Sequence, residues 1–474
     1  MTVRRKTGRQ GARRPERPSP RVADPAKGRF RISLTTAILL AVVSLAVASL
    51  SVYLVMRPKH PSAVARMASQ TSPEVAALLY EADRIARDIV EAFPADPHAF
   101  HVLAWLHSRY GDIDQAVHYW HHCLTLDPTF DKAHHSIGVI VEATGDHVTA
   151  AEHFRMAAEL DPQSPIFPVY YARAVTRQGD LEQGAAILER FVQSRPSSVA
   201  AMVTLGETYI QLSEFEKARE ILERAVELTP DLASPYYGLG TACARLGDHT
   251  AAKQYMEKFR VLKARDEQIH RDDLQVLDNI DQVRGDVAWV LTESGKVYLA
   301  RGDFDSGQQH LQRAIELDPN HVPGHRALAW LYEQQDRIDR AVDLLKALAD
   351  RVPDDLALLL DLGELCERAG RIDEAQWAYQ KALESTPHSP GAYVALANLL
   401  VRTGRHPDQA RQLAERAVAI DPKGSHFALL SAACQQDGDR PAALAAIERA
   451  MALEPSNRQY RILHAAIQSE MNDG

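Results

Sequence analysis

The chain has 474 residues, with 54 Lys and Arg against 63 Asp and Glu, and a formal net charge of −9. This charge is unevenly spread, because residues 1–31 hold eleven basic and two acidic side chains, which leaves −18 on the remainder. An acidic surface of that size repels phosphate backbones, so nucleic acid is excluded as the expected partner of the main domain.

The first predicted element is a transmembrane helix over residues 32–56. These 25 residues carry no charge and are rich in Leu, Val and Ala. At ~1.5 Å per residue they are long enough to cross a bilayer core of about 30 Å. A cleaved signal peptide is the alternative, because Ala46-Val47-Ala48 looks like a cleavage site. That tripeptide lies inside the apolar run, however, and a signal-peptide core spans only about 7–15 residues. We therefore predict an uncleaved anchor behind a disordered basic tail, residues 1–31.

The distribution of basic residues predicts the orientation of this anchor. Eleven precede the span, whereas Arg57, Lys59 and Arg66 follow it. By the positive-inside rule the N-terminus is cytoplasmic and the remaining chain lies on the periplasmic or extracytoplasmic side, as in a single-pass protein of a bacterial inner membrane.

A linker, residues 57–72, is expected to lead from the membrane to a helix over residues 73–94. Ser72 is a suitable helix cap, Pro73 fits the first helical position, and Glu74 favours the first turn. We expect this helix to cover the start of the repeats that follow.

A unit of about 34 residues then recurs along most of the chain. In residues 131–162, apolar or small residues at helical spacing are divided by Gly145-Asp146, and Pro162 closes the unit. This pattern predicts two helices joined by a tight turn. The closing prolines are Pro128, Pro162, Pro196, Pro230, Pro319, Pro353, Pro387, Pro422 and Pro455.

These residues resemble the tetratricopeptide repeat, whose pattern places Leu-Gly on the first helix and Ala followed by a bulky residue on the second. Leu205-Gly206, Leu239-Gly240 and Leu362-Gly363 match the first helix, and Ala150 with Phe154 match the second. The resemblance implies an all-α fold, a right-handed α-solenoid of about ten hairpins. Units 1–5 would occupy residues 95–265, units 6–10 residues 288–456, and a capping helix residues 457–474.

The period breaks at residues 266–287, where about 22 extra residues appear. Leu274, Leu277, Ile280 and Val283 keep helical spacing, which predicts a helical insertion that extends the fifth unit and ends near Gly285. It is either a tolerated insertion or a division of the array into two five-unit lobes, which would offer a hinge or a dimer contact.

No motif for catalysis is present: the sequence lacks a phosphate-binding loop, H-E-x-x-H, C-x-x-C and G-x-S-x-G. We therefore predict a protein that is not an enzyme and needs no cofactor. The four cysteines, Cys123, Cys243, Cys366 and Cys434, occupy inward slots of different units, and we expect small buried side chains rather than disulfides.

Ten of the twenty histidines lie between His98 and His153. His118 and His122 are four residues apart on one predicted helix, a spacing that can chelate a divalent transition metal. They are the metal candidate of this sequence, although that face is expected to be a polar surface without a third ligand.

The resemblance implies that first helices line a concave groove in which a partner binds. Trp105 and Trp330 stand out there, because exposed Trp often anchors a partner, although packing against a neighbouring helix is the alternative. The predicted groove residues are His101, Trp105, His135, Glu142, Arg173, Glu207, Lys296, Arg326, Trp330, Glu364, Glu367 and Asn398.

The sequence thus predicts a membrane-anchored, non-enzymatic scaffold that binds a peptide or protein and supports complex assembly at the cell envelope. The alternative is a metal- or pH-responsive binding protein that uses the His-rich first two repeats.

Overall fold

The computed structural model describes residues 63–274 and 280–472. The predicted basic tail and the predicted transmembrane helix, residues 32–56, lie outside these ranges and remain predictions. Within the described ranges, no helix combines the length and the apolar character that crossing a bilayer requires.

The described residues form 23 α-helices and no strand, as an all-α fold requires. The helices are α1 (Ala63–Ala68), α2 (Pro73–Ala92), α3 (Pro97–Arg109), α4 (Ile113–Leu126), α5 (Asp131–Ala143), α6 (His147–Leu160), α7 (Phe167–Arg177), α8 (Leu181–Ser194), α9 (Val199–Gln211), α10 (Phe215–Leu228), α11 (Ala233–Arg245), α12 (His249–Leu274), α13 (Ile280–Ala300), α14 (Phe304–Leu317), α15 (Val322–Gln334), α16 (Ile338–Ala349), α17 (Leu356–Arg368), α18 (Ile372–Ser385), α19 (Pro390–Thr403), α20 (Pro407–Ile420), α21 (Gly424–Gln436), α22 (Arg440–Leu453) and α23 (Arg458–Asn472). From α3 to α22 they pair as ten successive hairpins.

The second hairpin illustrates why this sequence folds into paired helices. Gly145 has a φ of +87°, and this left-handed conformation ends α5. Residues other than glycine rarely adopt it, because their Cβ atom clashes with the backbone. Asp146 then caps α6, because its side chain accepts a hydrogen bond from the backbone N–H of Thr149 at 3.0 Å. Where α5 and α6 cross, a Cβ added to Gly138 would lie 2.7 Å from Cε1 of Phe154. The small and bulky positions of the repeat therefore set the distance between its helices.

The first helices of the hairpins lie on the inner side of the array. α9 contacts the first helices on both sides, α7 and α11, and α19 likewise contacts α17 and α21. The second helices of consecutive hairpins do not pack on one another to this extent in the described part of the chain. Closer spacing of the first helices curves the array around them, so these helices line its concave face.

The hairpins are arranged as two groups of five, which we call the first lobe (α1–α12) and the second lobe (α13–α23). Among the described residues, α13 does not pack side by side with α12; it contacts α2 and α3 instead. Val287 and Leu291 of α13 share one buried cluster with Leu79 of α2 and Leu103 of α3. The first helix of each lobe's hairpins, α3 and α13, therefore packs on α2, and the ten hairpins do not form one continuous stack.

The extra segment between the lobes is helical in the residues that the structure describes, on both sides of positions 275–279. α12 lengthens to Leu274, and α13 begins at Ile280, so the predicted end near Gly285 is wrong. Gly285 lies inside α13 and is not among the glycines with a positive φ, so it makes no helix-ending turn. Whether this segment acts as a hinge or a dimer contact stays a prediction.

The last helix, α23, covers the end of the second lobe with a narrow buried face. Tyr460 and Ile467, seven residues apart and therefore on one side of the helix, are buried. Ile462 and Ala466 lie on other sides of α23 and are exposed, and Leu463 is exposed too although it follows Tyr460 by three residues.

Candidate functional site

A cavity of about 390 Å³ opens on the concave face of the second lobe. Three consecutive first helices, α13, α15 and α17, supply most of its walls, and Leu345 of α16 supplies part of the floor. We call this cavity the second-lobe groove. Its lining residues are Lys296, Pro323, Arg326, Ala327, Ala329, Trp330, Glu333, Leu345, Asp361, Glu364, Leu365 and Arg368.

Four of the predicted groove residues, Lys296, Arg326, Trp330 and Glu364, meet in this cavity. Lys296, Trp330 and Glu364 are 34 residues apart, so they occupy the same position in three consecutive units. Asn398 continues this row on α19 and is exposed. A repeat thus places unlike side chains side by side along one line of the groove.

Trp330 has an indole that the fold does not cover. It is 48% exposed, which is unusual for the side chain with the largest apolar surface. In the described part of the chain, no hydrogen bond, ring contact or nearby cation engages its indole. The ring therefore offers its surface to whatever enters the groove.

The cations of the groove are held by carboxylates. Arg368 donates to Glu333 through two nitrogens, at 2.8 and 3.1 Å. Arg326 pairs with Asp361 across neighbouring units. Lys296 donates to Glu293, one helical turn before it, at 2.6 Å.

The carboxylate of Glu364 makes no hydrogen bond or ion pair with any described residue, and its side chain is exposed. Glu367, one turn further along α17, differs: it accepts a hydrogen bond from the hydroxyl of Tyr379 at 2.7 Å and pairs with Arg402. Of the predicted acidic residues on α17, only Glu364 is therefore available to a ligand.

Two profiles of the tetratricopeptide repeat match the chain, one at residues 176–246 and 298–366 and the other at residues 101–165 and 360–425. Together these matches cover more than half of the sequence. The chain belongs to the tetratricopeptide-repeat family. Proteins of this family generally mediate protein–protein interactions as scaffolds.

A curated relative is the cellulose synthase operon protein C of Xanthomonas axonopodis pv. citri (strain 306). It is 28% identical over 132 residues, which are 28% of this chain and only 8% of that protein. The chain therefore spans a small part of the length of this relative.

Similar solved structures include yeast Tom70, at 16% identity over 79% of this chain and 96% of that chain, with a TM-score of 0.32. MamA from Desulfovibrio magneticus RS-1 is 20% identical over 35% of this chain and 95% of that chain, with a TM-score of 0.33. At such values the similarity carries no information on partners.

In the first tetratricopeptide repeat, the indole of Trp105 packs against another ring, whereas the indole of Trp330 does not contact any described ring. Its indole stacks on the indole of Trp289 in α13, with ring centroids 3.9 Å apart. Of the two interpretations of Trp105, an anchor in the groove or packing against another helix, the stacked pair favours the second.

His101 and His135 also lie inside the repeats rather than along the groove. Nδ1 of His101 accepts a hydrogen bond from the indole N–H of Trp120 at 3.1 Å, and burial lowers the pKa of His101 to about 3. The ring of His135 lies 4.8 Å from the ring of Tyr170, and burial likewise lowers its pKa. Both side chains fill space beside the bulky residue of the second helix.

A network of charges on the first lobe includes three other predicted residues, Glu142, Arg173 and Glu207. Glu142 is 8% exposed, and its carboxylate contacts Arg173 at 2.8 Å and Arg177 at 3.0 Å. It therefore joins the second repeat to the third. Glu207 is exposed on the fourth repeat, where partial desolvation by the crowded concave face raises the pKa of its carboxyl, although Arg173 opposes this shift.

The two histidines of the metal candidate differ in exposure. His118 is exposed, whereas His122 packs edge-on against Phe100 with ring centroids 4.3 Å apart. Among residues 63–274 and 280–472, no group of three or more His, Cys, Asp or Glu side chains could hold a metal ion. A different pair is closer: Nδ1 of His134 and Nδ1 of His153 are 3.1 Å apart.

The four cysteines are all buried and free, so the expectation of small buried side chains is confirmed. Burial raises the pKa of the Cys366 thiol to about 11, which disfavours the reactive thiolate.

Sequence reasoning missed three charged residues of the groove, Glu333, Asp361 and Arg368. Each lies three or four residues from Trp330 or Glu364 on the same helix. Extending the predicted row by one helical turn in each direction would have found Glu333, Asp361 and Arg368.

Proposed function

We propose that the chain is a membrane-anchored, non-enzymatic scaffold that holds a peptide or a protein segment in the second-lobe groove. The observation that carries this proposal is the uncovered indole of Trp330 inside a cavity of about 390 Å³. Buried aromatic anchors dominate the energetics of protein interfaces, and an aromatic ring in a groove is well suited to become one.

Affinity capture with the full-length chain, followed by mass spectrometry, tests this groove. The Trp330→Ala variant is expected to lose partners that the wild-type chain captures reproducibly. The Tyr80→Ala variant is the matched control, because Tyr80 is also an exposed aromatic residue, at 52%, but lies on α2. If both variants retain the same partners as the wild type, the partner binds elsewhere.

The placement of this scaffold at the cell envelope is supported by the sequence of residues 1–56. The uncharged run of residues 32–56 and the basic residues before it favour a single-pass anchor with a cytoplasmic N-terminus. Protease digestion of spheroplasts is the test. Cleavage of the repeat region in intact spheroplasts supports the extracytoplasmic location, and protection until lysis contradicts it.

A second candidate function, pH- or metal-dependent binding through the first two repeats, is favoured by one observation. Nε2 of His134 lies 3.1 Å from the carbonyl oxygen of Pro128, so this nitrogen carries a hydrogen and donates. Nδ1 of His134 is then the acceptor in its 3.1 Å contact with Nδ1 of His153, and the nitrogen of His153 is the donor. Two protonated rings cannot share this contact. Calorimetric titration with zinc, comparing the wild type with His153→Ala, is the test.

A further inference from the structure

The second-lobe groove combines an uncovered aromatic ring with one unmatched negative charge. Trp330 and Glu364 occupy the same position in consecutive units, so they are neighbours along the concave face, and both line the cavity. The two side chains are exposed, and neither has a partner among the described residues.

The groove already neutralises its own cations. Arg368 is the cation nearest to Glu364 along the chain, four residues later on α17, but Glu333 holds its guanidinium through two hydrogen bonds. Arg326 and Lys296 are likewise paired, with Asp361 and Glu293. An acidic ligand would therefore have to displace an existing carboxylate before it found a free cation.

A basic ligand meets the opposite situation. The face of an indole attracts a Lys ammonium or an Arg guanidinium through its quadrupole, and a carboxylate beside it adds a charge-assisted hydrogen bond. The exposed amide of Asn398, next in the row, supplies a further acceptor.

We propose that the second-lobe groove recognises a basic side chain, Lys or Arg, of the bound partner segment, with the cation placed between the ring of Trp330 and the carboxylate of Glu364. This inference rests on the proposed function and specifies its ligand. The occupant is a segment of another protein, because a nucleic acid would meet the repulsion of the acidic main domain.

The test uses synthetic peptides of one length and one neutral background, with Arg, Lys, Gln or Glu fixed at the central position. Binding to the purified full-length chain is measured by fluorescence anisotropy. The wild type is expected to bind Arg- and Lys-centred peptides roughly 5–20-fold more tightly than Gln-centred ones. Glu364→Gln should remove this preference, and Glu364→Lys should shift it to the Glu-centred peptide.

The control for the loss of one charge is Glu182→Gln. Glu182 is an exposed carboxylate on α8 of the first lobe, far along the chain from the groove, and its loss should leave the preference unchanged. Because Glu182 and Glu364 are both exposed, neither substitution removes a contact of the core.

The outcomes separate this inference from the proposed function. Peptide binding that depends on Trp330 but shows no preference for a basic centre, or a preference that Glu182→Gln abolishes equally, overturns the inference alone. Absence of any Trp330-dependent binding overturns both. A peptide of residues 1–31 is included as a competitor; if it binds through Glu364 more tightly than every other peptide, the occupant is the chain's own tail and the partner-segment assignment is wrong.

Discussion

The indoles of Trp105 and Trp289 stack with their centroids 3.9 Å apart and their planes at 29°, and this contact joins the beginnings of the two lobes. Polar contacts surround it. Asp96 accepts hydrogen bonds from Arg301 at 2.7 and 3.0 Å, and Asp286 accepts one from the hydroxyl of Tyr110 at 2.9 Å. Burial raises the pKa of Asp96, but its hydrogen bonds with His98 and Arg301 outweigh this and lower the pKa to about 2.

The Trp289→Ala variant is expected to loosen this junction. Removing a half-buried indole leaves a void beside Trp105 and exposes part of α3, so we expect a loss of about 2–4 kcal/mol in the free energy of unfolding. Urea denaturation of the full-length chain in detergent measures this loss.

The control for this variant is Trp330→Ala. Its indole is 48% exposed and packs on no ring of residues 63–274 or 280–472, so the free energy of unfolding should change by less than about 0.5 kcal/mol. Equal stability of the two variants would mean that the stacked pair does not hold the lobes together.

The repeat pattern predicted the hairpins because each of its residues has one local physical role. Gly145 allows the turn, and Gly138 allows the close approach of Phe154. The docking of α13 on α2 could not be predicted in this way. It depends on surfaces separated by some two hundred residues, and no periodic signal relates Trp105 to Trp289.

The candidate site was predicted only in part, because the repeat pattern gives the position of a residue within its unit but not the contacts between the two lobes. The repeat position placed Trp330 and Glu364 on the groove side of consecutive units, and both line the cavity. At the equivalent position in the first lobe the repeat pattern left two interpretations of Trp105 open, because whether its ring is free or covered depends on the other lobe. His101 misled because Trp120, the bulky residue facing it, carries an N–H that a His nitrogen can accept.

Gly363→Ala is expected to destabilise the second lobe by about 1–3 kcal/mol. A Cβ at this position would lie 2.1 Å from Cε1 of Tyr379, which is 1% exposed and cannot move without losing its hydrogen bond to Glu367. Thermal unfolding followed by circular dichroism measures the effect.

Gly391→Ala is the matched control for that helix-packing effect. Gly391 also lies in a first helix, but the nearest atoms to an added Cβ are 3.7 Å away, an ordinary contact distance. Its stability should stay unchanged or rise by up to about 1 kcal/mol, because Ala favours helices. A similar loss in both variants would contradict the role assigned to Gly363.

Glu142→Gln is expected to weaken the link between the second and third repeats. The substitution keeps the shape of the side chain but removes the charge that Arg173 and Arg177 share. Because both guanidinium groups are more than a third exposed and regain water, we expect a loss of only about 1–2 kcal/mol in the free energy of unfolding. Urea denaturation checks this value, and Glu182→Gln, which removes an exposed carboxylate on α8, should have no measurable effect.

Acid is expected to destabilise the first lobe through His101. Burial lowers its pKa in the folded chain to about 3, whereas the unfolded chain has a value near 6.5. The unfolded state therefore binds the proton more readily, so the stability present above about pH 6.5 is lost as the pH falls toward 3, at up to about 1.4 kcal/mol per pH unit for this one group.

The His101→Gln variant tests this effect, because it removes the titrating group while the new amide oxygen can still accept a hydrogen bond from the indole N–H of Trp120. Unfolding free energies measured between about pH 7.5 and 5 should fall less steeply for His101→Gln than for the wild type. The exposed His118→Gln serves as the control and should retain the wild-type slope. Equal slopes for all three proteins would show that His101 does not set the acid sensitivity.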